Sequence, residues 1–392
     1  MKKRVCILYY GWYKAPNGAA KFVRTLDENR DVFQKKNIDL HVFSLDTFMP
    51  KEFSDKDAIN KRNSLKNKLL RLIKRSTTLM ILYMWLFEER HHRRVVAEYL
   101  KGNFHDDIIH CQEPVTAYYL LKSCKKIDFQ LYVSMHSNGE DFSMEFISRP
   151  CLNTKLGIWY LNRKLRYVIA HTNKIGFVSK NSLETYHRNH PETPYENLFY
   201  VYNGIEDNKK FRNGDREDGL INLICVGGLS ARKNQECLID AMTELTDEER
   251  NQLTLTFVGD GLIRSRLEEK VNRNSLSNVF FVGSSDKVTD YLLRSDVFIL
   301  VSKDEGLPIA IIEAMSAGLP VIGSRVAGIP ELIEEGVTGY VIEPKKSDVV
   351  SAIRMIINDK ERIPEMGMLS RRRYLSMFTL EAMLEMYIKV YE

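Results

Sequence analysis

The sequence lacks the features that would place it in several large classes of protein. Its six cysteines contain no C-x-x-C pair and no metal-like spacing, which argues against a zinc centre or a disulfide framework and for a reducing compartment. The longest apolar run, Leu79–Phe87, has nine residues, whereas a membrane-spanning helix needs roughly 20. The basic N-terminus precedes an apolar run of only about six residues, which predicts a first β-strand rather than a secretion signal. Together these absences predict a cytoplasmic chain.

Nucleotide-binding fingerprints of the common kinds are absent as well. The sequence contains no G-x-x-x-x-G-K-[ST] loop, and its Gly259–Asp260–Gly261 turn does not extend to G-x-G-x-x-G. It also contains no short-period repeat and no low-complexity tract. A P-loop enzyme, a repeat protein and a disordered chain are therefore not predicted.

Strand and helix signals alternate along the whole sequence. Short β-rich runs are separated by longer helical patterns, an order that predicts parallel sheets with crossover helices. A chain of 392 residues exceeds what one hydrophobic core usually supports, so we expect two doubly wound α/β domains of similar size. The polar stretch 203–219 is the expected seam between them. The predicted strands are Val5–Tyr9, Leu40–Phe43, Ile108–His110, Leu131–Met135, Ile175–Val178, Leu198–Val201, Leu220–Val226, Leu253–Val258, Val279–Val282, Val297–Val301, Pro320–Ile322 and Gly339–Val341.

Charge is distributed unevenly between the two halves of the sequence. Residues 1–218 carry a net charge of +11 and the remaining residues one of −6, within a formal total of +5. A basic surface suggests anionic lipid, phosphate or nucleic acid as a partner, while ordinary solvated side chains are the simpler explanation. We expect the two halves to face different partners.

The stretch SKDEGLPIAIIEAMSAGLPVIGS, residues 302–324, places two carboxylates around an apolar helix. Glu305 is the last of the charged residues at the beginning of the stretch, and Glu313 is the only ionisable side chain after it. Pro308 falls near the first turn of the predicted helix, where the neighbouring amides can hold an anion. We expect Glu305 at the mouth of a crevice and Glu313 about two turns down a buried helix, where it can bind a vicinal diol such as ribose. Pairing of Glu313 with Arg325 is the structural alternative.

Three other turns that follow predicted strands are candidate binding sites. Near Gly18 a strand gives way to a helix whose amides can approach an anion, although NGAA is also an ordinary turn. His136 ends a strand, which by itself favours a hydrogen-bonded structural histidine. Arg232 and Lys233 follow a strand and two glycines at the opening of an amphipathic helix. There a lysine can reach a diphosphate, and two solvated cations are the alternative.

Several motifs follow one another in the order of a known family. They are the Gly18 loop, SMHSNGE with His136, VYNGIED, VGGLSARKN, FVGDG, VFILVS and the long segment EGLPIAIIEAMSAGLPVIGSRVAGIPELIEEGVTGYVIEP. In the last of these, Glu305 and Glu313 form an E-x7-E element. The sequence thereby resembles the family 4 retaining glycosyltransferases of the GT-B fold. The resemblance spans nearly the whole chain and is closest from Ile221 to Pro344.

The resemblance implies an architecture of two Rossmann-like domains that face a central cleft. Residues 1–205 would form an acceptor-binding domain and residues 206–372 a nucleotide-sugar-binding domain. Residues 373–392 would form a C-terminal helix that crosses back to the N-terminal domain.

The resemblance also implies roles for the matching residues. Glu313 would hold the nucleotide ribose, and Glu305 would contact the hydroxyls of the donor sugar with help from the amides that follow it. Lys233 would bind phosphate, and His136 would face the sugar from the N-terminal domain. The implied catalytic residues are His136, Glu305 and Lys233. The implied donor-binding residues are Gly18, Arg232, Lys233, Glu305, Gly306, Leu307, Pro308 and Glu313.

Two positions depart from the family pattern. The arginine that usually stands five residues before the phosphate-binding lysine is Gly228 here, so Arg232 becomes the candidate substitute from a different backbone position. Asn17–Gly18 occupies the place where the family often has two glycines, which weakens the assignment of that loop to phosphate.

The chemistry implied by the resemblance uses no metal ion and no cofactor. Retaining transfer in this fold is thought to proceed by front-face attack through an oxocarbenium-like transition state, with a phosphate oxygen taking the proton of the acceptor. Lys233 and helix amides would stabilise the departing nucleotide diphosphate electrostatically. The one D-x-D, Asp55–Asp57, lies in a basic loop-like stretch that is a poor metal site. We expect a nucleotide-sugar donor, with UDP favoured by family frequency.

Residues 60–96 combine basic and apolar side chains in a pattern typical of a helix on an anionic membrane. Leucine and isoleucine recur at helical spacing from Leu65 to Ile73, with lysine and arginine between them. A surface helix that packs its apolar stripe on the N-terminal domain is the alternative. Membrane contact would suit a lipid-linked saccharide acceptor and a peripheral position on the inner face of the cytoplasmic membrane. We therefore expect a hexosyltransferase of surface polysaccharide assembly.

Three other functions stay open on the residues alone. A sugar-nucleotide epimerase of similar fold would use the same donor site without an acceptor, and a soluble transferase would act on a small metabolite. A nucleic-acid-binding protein would account for the basic half, but it explains neither glutamate and the sequence has no recognised binding module. We therefore expect no nucleic-acid partner.

Overall fold

Two parallel six-stranded sheets form the framework of the chain. The computed structural model describes residues 2–15, 18–50, 72–102, 104–124, 126–211 and 219–392. The first sheet contains β1 (Lys3–Leu8), β2 (Ile38–Phe43), β3 (Ile108–Cys111), β4 (Gln130–Met135), β5 (Lys174–Phe177) and β6 (Leu198–Tyr200). The second contains β7 (Ile221–Val226), β8 (Leu253–Val258), β9 (Val279–Gly283), β10 (Val297–Leu300), β11 (Val321–Ser324) and β12 (Gly339–Ile342). Every strand predicted from the sequence is present in these described residues.

Helices connect the strands and cover both faces of each sheet. Those of the N-terminal half are α1 (Gly18–Glu28), α2 (Arg30–Gln34), α3 (Leu45–Phe48), α4 (Thr77–Tyr83), α5 (Glu89–Lys101), α6 (Pro114–Ser123), α7 (Ser143–Ser148), α8 (Lys155–Ile169) and α9 (Lys180–Asn189). Those of the C-terminal half are α10 (Gln235–Glu244), α11 (Asp247–Arg250), α12 (Arg264–Arg273), α13 (Val288–Leu293), α14 (Ile309–Ser316), α15 (Ile329–Leu332), α16 (Lys346–Asn358), α17 (Ile363–Met377) and α18 (Leu380–Tyr391). A π-helix, Met84–Glu88, joins α4 to α5, and short 3-10 turns occur at Pro150–Leu152, Tyr195–Asn197 and Lys360–Arg362.

The strand order reverses once in each sheet, and this fixes where a ligand can bind. The orders are β2-β1-β3-β4-β5-β6 and β12-β11-β10-β7-β8-β9, so the reversals lie between β1 and β3 and between β7 and β10. Ligands of doubly wound sheets bind outside the carboxyl ends of the strands at such a reversal. The predicted α/β class with two doubly wound domains is confirmed, and the turns after these strands border the candidate site.

The chain has several hydrophobic cores because both faces of each sheet are covered by helices. Helices on both sides of a parallel sheet leave its strands nearly all apolar, and the four side chains of β10 are indeed all buried. In β1, Val5 and Ile7 belong to one core while Cys6 and Leu8 belong to another on the opposite face, as the period of two in a strand requires. A third, larger core surrounds the second sheet.

The last helix of the chain packs in the N-terminal half. Met383, Leu384 and Tyr387 of α18 belong to the same core as Val5 and Ile7. The preceding helix, α17, packs against α14 of the C-terminal half. The chain therefore crosses between the halves after β6 and again between α17 and α18.

The residues described here contain no helix that is both long and apolar enough to cross a bilayer.

Candidate active site

Two cations and one carboxylate meet at the carboxyl end of the second sheet. Glu305 lies in the loop after β10, while Arg232 and Lys233 follow β7 across the reversal point. Lys233 Nζ is 2.5 Å from Glu305 Oε1, and Arg232 Nη1 is 3.1 Å from Glu305 Oε2. Ser302 Oγ donates a 2.8 Å hydrogen bond to the same carboxylate. The structure thus brings Glu305 to two adjacent cations that lie more than seventy positions before it in the sequence.

Local backbone geometry directs Lys233 toward this cluster. Asn234 occupies the N-cap position of α10 with a left-handed backbone, φ 56°, and its side chain donates to Val301 O at 3.2 Å. This bond fixes the start of α10 against the end of β10. Gly227 at the end of β7 has φ 147°, a value that favours glycine, and a Cβ there would lie 3.7 Å from Lys233 Cε. The Lys233 side chain therefore extends over Gly227, which has no side chain to obstruct it.

The burial of the two glutamates is the reverse of what the sequence predicted. Glu305 was expected at the mouth but is 5% exposed, and Glu313 was expected to be buried but has 26% of its side chain exposed. A buried carboxylate is stable only when it is paired and hydrogen-bonded, and Glu305 has two cations and a hydroxyl to satisfy it. Glu313 lies on the face of α14 that borders the cleft, whereas Ile312 and Ala314 beside it enter the core.

Glu313 faces a cation from the other half of the chain. Lys21 Nζ of α1 lies 3.3 Å from Glu313 Oε1, whereas Arg325, the partner considered from the sequence, lies 3.5 Å from Glu343 instead. Glu313 and Lys21 line a cleft of about 360 Å³ between the two halves. Other residues that line the cleft include Phe22, Asn203, Thr289 and Ile309.

The segment after Glu305 packs closely against the N-terminal half. A Cβ atom on Gly306 would lie 2.8 Å from Val178 Cγ2 and 3.3 Å from the carbonyl oxygen of His136, so glycine is needed for this approach. The Gly306 carbonyl accepts from Gly328 N at 2.9 Å, and the Leu307 carbonyl accepts from Asn203 Nδ2 at 2.8 Å. Both peptide groups are therefore held in fixed orientations.

The helix that carries Glu313 begins directly after Pro308, in agreement with a proline near its first turn. Pro308 is the N-cap residue of α14, with an extended backbone of φ −72° and ψ 117°, and the helix starts at Ile309.

His136 follows β4 and lies beside Phe22, a residue that lines the same cleft. Its Nε2 donates to Gln112 Oε1 at 3.2 Å, and its ring contacts the edge of Phe22 with centroids 5.3 Å apart. Burial lowers the pKa of His136 to about 4, an effect that Glu113 only partly opposes. The imidazole is therefore neutral at physiological pH, with its proton on Nε2.

Gly18 is the first residue of α1, in agreement with the predicted strand-to-helix turn. Pro16 and Asn17 lie outside the described residues, as do the Asp55–Asp57 pair and positions 60–71 of the basic segment.

Lys21 and Gln112 were not selected from the sequence. Lys21 lies one helical turn after Gly18, on the same face of α1. Examining the residues that share this face with Gly18 would have identified it. Gln112 directly follows β3 at the reversal point of the first sheet. The rule that ligands bind at the carboxyl ends of strands next to such a reversal would by itself have selected it.

Comparisons with known proteins agree with this geometry. Residues 206–373 match the family model described as glycosyl transferases group 1. The N-acetyl-α-D-glucosaminyl L-malate synthase of Bacillus anthracis is 28% identical over 241 residues, which are 59% of this chain and 62% of that protein. The O-antigen chain mannosyltransferase C of Escherichia coli is 29% identical over 172 residues, which cover 42% of this chain and 45% of that one.

A solved structure extends the likeness to the whole chain. The crystal structure of Anabaena HepE in complex with UDP superposes with a TM-score of 0.67 at 17% identity, covering 99% of both chains. The aligned part of this chain spans about three fifths of the first curated relatives. Residues 206–373 are thus similar to the group 1 glycosyl transferases, and the two Rossmann-like domains of the chain form the GT-B fold.

Proposed function

We propose that this chain transfers a hexosyl unit from a nucleotide-sugar, with UDP favoured, to a saccharide or lipid-linked saccharide. The transfer would retain the anomeric configuration and serve surface polysaccharide assembly. The cluster of Arg232, Lys233 and Glu305 at the reversal point of the second sheet carries this proposal, because it combines cations for a diphosphate with a carboxylate for sugar hydroxyls. The names of two proteins above support it: the E. coli relative is an O-antigen mannosyltransferase, and the HepE structure contains UDP.

Donor binding would exchange the partners of the charged residues. The donor diphosphate would draw Lys233 and Arg232 from Glu305, whose freed carboxylate would then accept hydrogen bonds from the sugar hydroxyls. The ribose hydroxyls would similarly compete with Lys21 for Glu313. Each exchange replaces an ion pair inside the protein by charge-assisted contacts to the ligand, so no buried charge is left without a hydrogen-bond partner.

The bond-breaking step would rely on electrostatic stabilisation of the leaving nucleotide diphosphate. Lys233 supplies a cation, and the peptide groups of Gly306 and Leu307 stand in fixed orientations beside it. A phosphate oxygen would take the proton of the acceptor hydroxyl on the same face of the sugar. His136, which is neutral, would orient the sugar by hydrogen bonding rather than by charge. We propose that this route needs no metal ion.

A thermal-shift screen against UDP-, GDP- and ADP-sugars tests the donor. We expect one nucleotide class to raise the melting temperature by several degrees at millimolar ligand, because ligands that bind only the folded state stabilise it. Stabilisation by none of the three classes would contradict the proposed donor site.

The acceptor side of the proposal rests on an exposed apolar surface of the N-terminal half. The segment from α4 through the π-helix buries Met80 and Met84 and exposes Trp85 and Phe87, of which Phe87 is 58% exposed. The neighbouring α8 exposes Trp159 in the same way. Apolar exposed residues of this surface are Leu79, Leu82, Trp85, Leu86, Phe87, Leu156 and Trp159.

Cations lie directly on this apolar surface. The Arg93 guanidinium stands 5.3 Å from the Trp85 ring centroid, and the Arg163 guanidinium stands 5.1 Å from that of Trp159. Tryptophan beside arginine suits the boundary between lipid headgroups and acyl chains. We propose that this surface contacts the anionic inner face of the cytoplasmic membrane, where a lipid-linked acceptor would be available.

Cosedimentation with vesicles tests the membrane contact. Vesicles with anionic lipid should bind the protein more strongly than zwitterionic ones, and salt should weaken the binding. Phe87→Glu should reduce binding, whereas Leu262→Glu, at a 91% exposed position of the C-terminal half, should not. Equal effects of the two variants would contradict the proposed surface.

Product analysis separates this function from its alternatives. An epimerase would convert the donor without any acceptor, and a transferase to a small metabolite would act on soluble acceptors without binding vesicles. The B. anthracis relative, whose name includes L-malate, makes the second alternative worth testing. NMR of the product should show the donor's anomeric configuration. Inversion would contradict the retaining mechanism and leave the transferase activity intact.

A further inference from the structure

Three potential metal ligands meet on the N-terminal sheet, away from the candidate active site. Cys6 of β1 and His41 of β2 are direct neighbours in the strand register, and Asp106 lies two residues before β3. The Sγ, imidazole nitrogen and carboxylate oxygen of these residues all lie within 4.8 Å of one another. Asp106 precedes the amino end of its strand, whereas the active-site cleft borders the carboxyl ends.

Two atoms of this cluster lack hydrogen-bond partners although they are buried. They are His41 Nε2 and Asp106 Oδ1. Buried polar atoms are nearly always paired in folded proteins, so two unpaired atoms in one cluster call for a cause. His41 Nε2 lies 3.6 Å from Asp106 Oδ2, a spacing close to that of two ligand atoms that share one metal ion at about 2.1 Å each.

The surroundings hold the aspartate in place. Tyr99 donates a 2.6 Å hydrogen bond to Asp106 Oδ2, the kind of outer contact that orients a ligating carboxylate. Arg4 Nε lies 3.7 Å from Asp106 Oδ1 and is the competing cation. Because 44% of the Arg4 side chain is exposed, it can turn toward solvent when another cation enters.

We propose that Cys6, His41 and Asp106 bind one divalent transition-metal ion of the zinc type. One sulfur, one nitrogen and one oxygen ligand suit a borderline-soft ion, and a water molecule would complete four-coordination. On binding, the Cys6 thiol loses its proton to solvent and the ion takes the place of Arg4 beside Asp106. The ion would join β1, β2 and the segment before β3, and its role would be structural.

Cobalt titration of untagged, chelator-treated protein tests this site. Co²⁺ should bind at one equivalent and give a thiolate-to-cobalt charge-transfer band in the near ultraviolet, and Zn²⁺ should displace it. Cys6→Ser should abolish the band, and His41→Gln should weaken binding by about tenfold or more. Cys124→Ser, which removes a more exposed thiol of the same half, should leave the band unchanged.

Circular dichroism checks that each variant is folded, and His41→Gln decides the question if Cys6→Ser does not fold. Absence of the band in folded wild-type protein would overturn the proposal. So would a band that survives both Cys6→Ser and His41→Gln. Vesicle binding and donor binding do not enter this test, so its outcome is independent of the proposed transferase function.

Discussion

Glu305 and Glu313 have the same side chain but different environments. Glu305 is buried and bridges Arg232 and Lys233, whereas Glu313 faces the cleft and meets a single lysine from the opposite domain. The ion pairs around Glu305 keep two cations next to the place where a diphosphate would bind. The cationic side chains are thus held in position before the ligand arrives, which reduces the entropy lost on binding.

Lys233→Ala and Glu313→Ala should both weaken binding of the nucleotide-sugar donor. Charge-assisted hydrogen bonds contribute about 1.5–3 kcal/mol, so each loss should raise Kd by roughly ten- to a hundredfold. Isothermal titration calorimetry measures the change. Lys303→Ala removes an exposed cation two residues from Glu305 and should have little effect. Unchanged donor affinity in both variants would exclude Lys233 and Glu313 as donor-binding residues.

His136→Ala should lower turnover more than it lowers donor affinity. The residue lies in the N-terminal domain beside Phe22 of the cleft lining and is a neutral imidazole, so its contacts are expected to matter most once the sugar separates from the diphosphate. Steady-state kinetics provide kcat and KM for comparison. A loss confined to KM would contradict this role.

Acid should destabilise the fold through His136. Its pKa is about 4 in the folded chain, against 6.5 for an ordinary histidine. Between these values the unfolded chain binds more protons than the folded one, so stability is lost as the pH falls from 6.5 to 4. The buried His110, whose pKa burial lowers to about 3, acts in the same direction. In His136→Gln the melting temperature should fall less over this pH range; a loss equal to that of the wild type would contradict the expectation.

At the scale of elements, α18 is the helix whose position the sequence explains least directly. It follows the second domain in the chain, yet its apolar face completes the core of the first. Tyr391 near its end is fully buried, and its hydroxyl shares a 2.7 Å hydrogen bond with His110 Nδ1 of β3. One polar contact inside an apolar core fixes the register of this helix.

Tyr391→Phe should destabilise the protein by about 1–3 kcal/mol, because it leaves a buried nitrogen of His110 without its partner. Denaturant unfolding monitored by fluorescence measures the loss. Tyr195→Phe, at an exposed position of the same domain, is the matched control and should change stability little. Equal stability of the two variants would indicate that the hydroxyl does not hold α18.

At the scale of the whole molecule, a few polar contacts hold the two domains across the cleft. Glu331 of α15 accepts hydrogen bonds from the amides of Lys180 and Asn181 at the start of α9 and from the Tyr202 hydroxyl. A carboxylate at a helix N-terminus also interacts favourably with the helix dipole. A further bond between the domains joins Ser143 to the buried Asp304, to which it donates at 2.7 Å, and burial raises the pKa of that carboxyl.

Glu331→Ala should loosen the domain arrangement. The variant loses three hydrogen bonds between the domains, so small-angle scattering should show a larger radius of gyration and the donor KM should rise several-fold. Glu335→Ala, which removes a nearby glutamate whose bond to Val341 N stays within one domain, is the control. An unchanged scattering profile would show that other contacts suffice to keep the cleft closed.

The amino-acid sequence by itself determined the strands and the class of fold. Each strand is a short apolar run between polar turns, and the alternation of such runs with helical patterns is typical of a parallel sheet covered by helices on both faces. The candidate site residues could also be selected from the sequence, because ligand contacts of this fold fall in turns after strands. Glu305, Lys233 and His136 all stand in such turns.

Only the tertiary structure decided the environments of these residues. Burial of Glu305 depends on Lys233 and Arg232, which arrive from another strand, and exposure of Glu313 depends on a cleft formed with α1. The Cys6, His41 and Asp106 cluster likewise unites positions that are far apart in the sequence, so no spacing rule could predict it. Local sequence patterns determine whether a segment forms a strand, a helix or a turn. The burial and charge partners of a side chain depend instead on residues that are distant in the sequence and come into contact only in the folded protein.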